Sequence, residues 1–90
     1  MSRLFICAHT AKINSRALID FLVDDGAIED WFYSMRGTFF FRSELSAKDL
    51  SSKILERFGD LRHLVIDIDD VPKWGALPKT HWEKILKRKL

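Results

Sequence analysis

The sequence predicts a ferredoxin-like α+β domain, a split βαβ of the form βαββαβ, with a further helix at its C-terminal end. Three observations carry that expectation. Short apolar or aromatic runs fall at 4–8, 28–35, 38–42 and 64–69; stretches of helical spacing separate the first run from the second and the third from the fourth; and a glycine follows each stretch. Strand, helix, strand, strand, helix, strand is the order this topology requires, with the first strand between the third and fourth and both helices on one face.

Each element has a local reason. Leu4 to Ala8 is a short apolar run that fits a buried central strand. Asn14 or Ser15 can cap a helix whose apolar residues Leu18, Ile19, Phe21 and Leu22 recur at helical spacing, and Gly26 closes it. Ile28 to Met35 and Thr38 to Arg42 are aromatic-rich and suit a pleated surface, with Arg36-Gly37 as the hairpin turn between them. Ser46 and Asp49 resemble a capping box for a second helix with the stripe Leu50, Ile54, Leu55 and Phe58, ended by Gly59. Leu64 to Asp69 alternates as a half-buried strand does. The segment from Trp74 to Trp82 sets two tryptophans around a Gly and Pro break that stops extended chain and starts a third helix, with Thr80 and Glu83 as its capping box and Trp82, Ile85 and Leu86 as its apolar stripe.

Ninety residues fill one domain, 1–90, whose tail and last helix occupy 71–90. No apolar run approaches the roughly 20 residues that span a bilayer. The start of the chain lacks a signal-peptide core, because His9, Thr10 and Lys12 interrupt its apolar run, so a cytoplasmic location and no membrane partner are expected. Cys7 is the single cysteine; it reads as a buried thiol, with an intermolecular disulfide as the alternative. Four glycines, none clustered, leave no phosphate-binding loop, and neither a nucleophile elbow nor a zinc spacing occurs. No cofactor is expected.

Alternation along the first strand puts Phe5, Cys7 and His9 on one side and Leu4, Ile6 and Ala8 on the other. If the aliphatic set faces the helices, the open face shows Phe5, Val65 and one or two of Phe39, Phe40 and Phe41. That is more apolar surface than a monomer exposes. A homodimer through the open sheet face, or cover by the tryptophan-bearing tail, accounts for it, and Trp74 and Trp82 are expected to anchor the third helix over the sheet or across a dimer contact. The three phenylalanines lack the basic and glycine spacing of an RNA-stacking platform and read as core or dimer packing.

Three groups are candidates for chemistry. Asp67, Asp69 and Asp70 are acidic; the first two lie two apart on a strand, placed to share a hard cation or to pair with Arg3 on the antiparallel first strand. His9 and His63 come to the same end of the sheet if the first and fourth strands are antiparallel. Arg42 and Glu44 would join them there from a third strand parallel to the first, which makes acid–base catalysis the functional reading and surface histidines the structural one. His81 reads as packing. Net charge is +2, with the basic excess at the end in Lys84, Lys87, Arg88 and Lys89. These either complement the dipole of the last helix or contact the phosphates of RNA or DNA.

The order Asp30-Trp31-Phe32-Tyr33, Thr38-Phe39-Phe40-Phe41, Leu45-Ser46-Ala47, Leu64-Val65-Ile66 and above all Trp74-Gly75-Ala76-Leu77-Pro78-Lys79 followed by Trp82 resembles the small bacterial SinR-like proteins. These are related in fold to the small ferredoxin-fold CRISPR-associated subunit and to VapD-like toxins. The resemblance implies a homodimer with apposed sheets. It implies as well that an Asp closing the first strand holds a divalent metal in the relatives that cleave nucleic acid. His9 stands at that position here, a poor ligand for Mg²⁺. The expected function is therefore a homodimeric interaction protein, catalytically degenerate, with nucleic acid as a candidate partner; the alternative is a toxin-type endoribonuclease using His9.

Overall fold

The computed structural model describes residues 2–33 and 35–86. Its elements are β1 (Arg3–His9), α1 (Ser15–Asp24), β2 (Glu29–Phe32), β3 (Thr38–Ser43), α2 (Ala47–Phe58), β4 (His63–Asp67) and α3 (Lys79–Leu86). One four-stranded sheet runs in the order β2-β3-β1-β4 with every pairing antiparallel. This is the split βαβ arrangement the sequence predicts, with α3 added.

Local signals act as read. The Asn14 side chain accepts from the Ala17 amide and caps α1, and Ser46 accepts from the Asp49 amide and caps α2. Gly37 turns the β2–β3 hairpin at a φ of 76°, with the His9 carbonyl so close that an added Cβ would meet it at 3.0 Å. Strand β2 is shorter than its aromatic run. Its register against β3 gains a residue between Glu29 and Phe32, where Asp30 takes a φ of 50° in a bulge, and pairing resumes at Phe32.

The two faces are the reverse of the expected assignment. Phe5 and Cys7 of β1, Phe39 and Phe41 of β3, and Val65 of β4 lie under α1 and α2, packed with Leu18, Ile19, Leu22, Leu50 and Ile54. Phe5 and Phe41 stack at 5.4 Å, and Phe39 tilts against Phe41 at 5.5 Å. Both alternating sets are apolar, so alternation sorts residues into faces without saying which face the helices cover. The larger aromatic set fills the deeper layer.

On the opposite face Leu4, Phe32, Phe40 and Ile85 form a second cluster, joined by Ile6, Ile68, Leu77 and Trp82. Helix α3 thus covers part of the face left open in the bare topology. Arg42, 6% exposed, holds it there by donating from Nη2 to the carbonyls of Lys84 and Ile85 at 3.3 and 3.4 Å. Cations suit the C-terminal carbonyls of a helix. Three tail expectations are corrected. Helix α3 begins at Lys79, with the Pro78 carbonyl taking the His81 and Trp82 amides, so Thr80 lies inside the helix and does not cap it. Trp74 is 100% exposed and anchors nothing, while Trp82 does pack. Leu86 is exposed, as is Leu55 in α2.

These packing differences set contrasting mutational costs. Phe41→Ala is expected to destabilise the domain by about 3–5 kcal/mol, the cost of emptying a large buried ring site. Trp74→Ala is expected to stay within about 0.5 kcal/mol of the parent. Urea denaturation of both variants measures the difference, and a larger loss for Trp74→Ala would contradict the exposed placement.

Candidate active site

The end of β1 opposite Arg3 gathers the polar chemistry of the helix-covered face. His9 and His63 are directly paired across β1 and β4. The Thr10 amide bonds the Arg62 carbonyl just beyond them, which makes theirs a non-hydrogen-bonded pair, the closer of the two antiparallel kinds. The expected meeting of the two histidines is therefore observed. Arg42 and Glu44 do not join them. Strand β3 is antiparallel to β1, not parallel as expected, and places Arg42 opposite Leu4 at the other end of the sheet.

Each imidazole is held at both nitrogens. His9 Nδ1 lies 2.9 Å from the Thr10 carbonyl and Nε2 lies 2.8 Å from Ser15 Oγ, at the first residue of α1. His63 Nδ1 lies 2.9 Å from the Leu61 carbonyl and Nε2 lies 2.7 Å from Ser51 Oγ in α2. A carbonyl only accepts, so Nδ1 carries the proton in the neutral ring. Nε2 then offers its lone pair, and the serine hydroxyl donates to it. Two sheet histidines thus each grip the helix that covers them. The serines were not singled out in the sequence, where Ser15 reads as a candidate cap; their only signal there is a hydroxyl on the first or second turn of a helix preceded or followed by a strand-end histidine.

The two pairs differ in surroundings. An open cleft of about 870 Å³ is lined by His9, Asn14, Ser15, Arg16, Tyr33 and Arg36, with Ala11, Ile13 and Met35 as its apolar wall. Neither His63 nor Ser51 lines it. Arg16 bonds Asp20 at 2.8 Å and sits 5.0 Å from the centre of the Trp31 ring, which itself stacks on Tyr33. A second cleft of about 390 Å³ at the other end of the sheet is lined by Asp25, Glu29, Arg42, Glu44 and Lys53 among others. There Lys53 pairs with Asp25 at 2.8 Å and Arg42 serves α3.

The remaining candidates separate. Asp67 accepts from Arg3 Nε at 2.6 Å and Asp70 from Arg3 Nη2 at 3.0 Å, so the guanidinium bridges these two carboxylates. Strand β4 ends at Asp67, and Asp69 turns back to accept from the Leu4 amide at 3.2 Å. Among the described residues no group of three or more His, Cys, Asp or Glu is arranged to hold a metal ion. Lys84 is on α3 with Nζ 5.4 Å from the centre of the Phe32 ring; Lys87, Arg88 and Lys89 lie outside the described residues. His81 packs against Phe32 at 5.0 Å. Burial pushes the Cys7 thiol up to about 12, which keeps it an un-ionised core group. No described helix is long and apolar enough to cross a membrane. No protein-family model, curated protein or solved structure matches the chain. Function has therefore to be read from these residues.

Two measurements check the site. The hydrogen bond from Arg3 holds the Asp67 carboxyl below its ordinary range. A depressed carboxyl contributes stability above its unfolded pKa, about 3.9, and loses it as pH falls through the folded value. The stability gap between the parent and Arg3→Gln should therefore be widest near neutrality and close in acid; a gap independent of pH would contradict the pairing. For the histidines, long-range proton–nitrogen NMR spectra of the neutral rings should show the Nδ1–H form at both His9 and His63, and an Nε2–H form at either would contradict its Nδ1–H donation to the carbonyl and make the serine the acceptor instead of the donor.

Proposed function

We propose that the chain acts as a homodimeric interaction protein whose second copy joins it along β4. The observation that carries this reading is the bare strip beside α3, where Leu64 and Ile66 of an edge strand are 58% and 43% exposed. Helix α3 covers the β2, β3 and early β1 portion of that face and stops short of this strip.

A second copy is the occupant that the strand's own geometry suits. Because Leu64 and Ile66 spend their backbone groups on β1, those of His63, Val65 and Asp67 point to the free edge. A two-fold axis at Val65 lets this edge pair antiparallel with itself. Leu64 of one copy then meets Ile66 of the other in a close pair on the α3 side, and the two sheets become one. An uncovered apolar edge strand is a liability that folded proteins cover or blunt, and self-pairing covers it. The resemblance to SinR-like proteins adds support for a dimer, although it implies apposed faces and α3 narrows the free face to this strip.

Sedimentation equilibrium tests the reading. The parent chain should behave as a dimer, and Leu64→Glu with Ile66→Glu should give a folded monomer. A parent that stays monomeric at high concentration would overturn it.

A further inference from the structure

The cleft at the mouth of α1 holds a nucleophile, a base and an orienting group in sequence. We propose that Ser15 and His9 form a nucleophile–base pair that hydrolyses carboxylic esters bound in this cleft. The proposal goes beyond the dimer reading and does not depend on it.

Activation of a serine needs a base within hydrogen-bond reach and a third group that fixes the base. Here the Thr10 carbonyl, 2.9 Å from Nδ1, sets the tautomer, and His9 Nε2 faces Ser15 Oγ at 2.8 Å. Both side chains line a cleft large enough for a small ester, with Ala11, Ile13 and Met35 as a surface for its acyl chain. Ser15 opens α1, so the amides of Ser15 and Arg16 have no acceptor within the helix, whereas the next amide, of Ala17, is taken by Asn14. Two amides beside the nucleophile without an intrahelical acceptor are the kind of donor that stabilises the oxyanion of a tetrahedral intermediate. The second pair provides an internal contrast. Ser51 and His63 have nearly the same distances but do not line this cleft; they tie α2 to the sheet.

The chemistry balances with water as the only co-reactant. Ser15 Oγ bonds to the ester carbonyl carbon while its proton passes to His9 Nε2. The carbon–oxygen bond to the alcohol then breaks, and the imidazolium returns that proton to the leaving oxygen. A water gives a proton to Nε2 as its oxygen attacks the acyl carbon. The bond to Ser15 Oγ breaks, Oγ recovers the proton, and the carboxylic acid leaves.

An alkyl fluorophosphonate is the direct probe, since attack by Ser15 forms an oxygen–phosphorus bond, expels fluoride and traps the enzyme. Incubation of the full chain followed by peptide mass spectrometry should show one adduct, on Ser15. Ser15→Ala should abolish it, His9→Gln should slow it by about 10²-fold or more, and Ser51→Ala should leave it intact. Parallel assays with p-nitrophenyl butyrate should show hydrolysis with the same dependence. Circular dichroism establishes that each variant is folded; should Ser15→Ala not fold, the site mapped on the parent and the His9→Gln rate decide. No adduct on the folded parent, an adduct elsewhere, or a rate unchanged in His9→Gln would overturn the proposal. So would RNA cleavage that is lost in His9→Gln but kept in Ser15→Ala, because His9 would then serve a different substrate without Ser15.

Discussion

The register of β1 is the constraint on which the rest of the molecule depends. It is bonded on both edges, to β3 and to β4, so each residue must suit two neighbours and one of two apolar layers at once. Pairing of Phe5 with Phe41 and of Cys7 with Phe39 builds the aromatic layer under α1 and α2, while Leu4 and Ile6 serve the layer under α3. A slip of one residue would exchange the two layers along the whole strand. It would also carry His9 away from His63 and from Ser15, so the candidate site exists only in the register that the core selects.

That dependence explains what could be read in the sequence. Caps are local, and Asn14, Ser46 and Gly37 act as their residue types dictate. The antiparallel meeting of β1 with β4 follows from element order, and with it the pairing of His9 with His63 and of Arg3 with Asp67. The choice of face does not follow, because both alternating sets of β1 carry apolar residues, Phe5 and Cys7 on one side and Leu4 and Ile6 on the other. Arg42 departs from expectation for a separate reason: β3 runs antiparallel to β1, which carries Arg42 to the other end of the sheet, where it serves the docking of α3. Trp74 departs from its expected packing for another reason. Tryptophan is usually largely buried, but Trp74 lies in the irregular segment before α3, and only Trp82 lies on a helix face that meets the sheet.

The serines show a subtler limit. A hydroxyl near a helix start is most simply a cap, and the sequence offers Asn14 and Ser15 as equals. Once the Asn14 side chain takes the Ala17 amide, the Ser15 hydroxyl is released from that duty. His9, at the end of the preceding strand, is the acceptor within reach. The base and the nucleophile lie six positions apart, too far for a helical or strand period and joined only by a turn, so no periodic pattern connects them.

The two features proposed to act lie on opposite faces of the sheet, and the same strand pair separates them. His9 and His63 share the helix-covered face with Val65, whereas Leu64 and Ile66 alternate onto the other. Pairing of β4 with a second copy would use backbone groups at its free edge and side chains on the α3 side. The cleft is built from β1, α1 and the β2–β3 turn, and no residue of β4 lines it. A dimer formed this way uses none of the residues that line the cleft. Association and chemistry can therefore coexist in a domain of this size because alternation assigns them to different sides of one sheet.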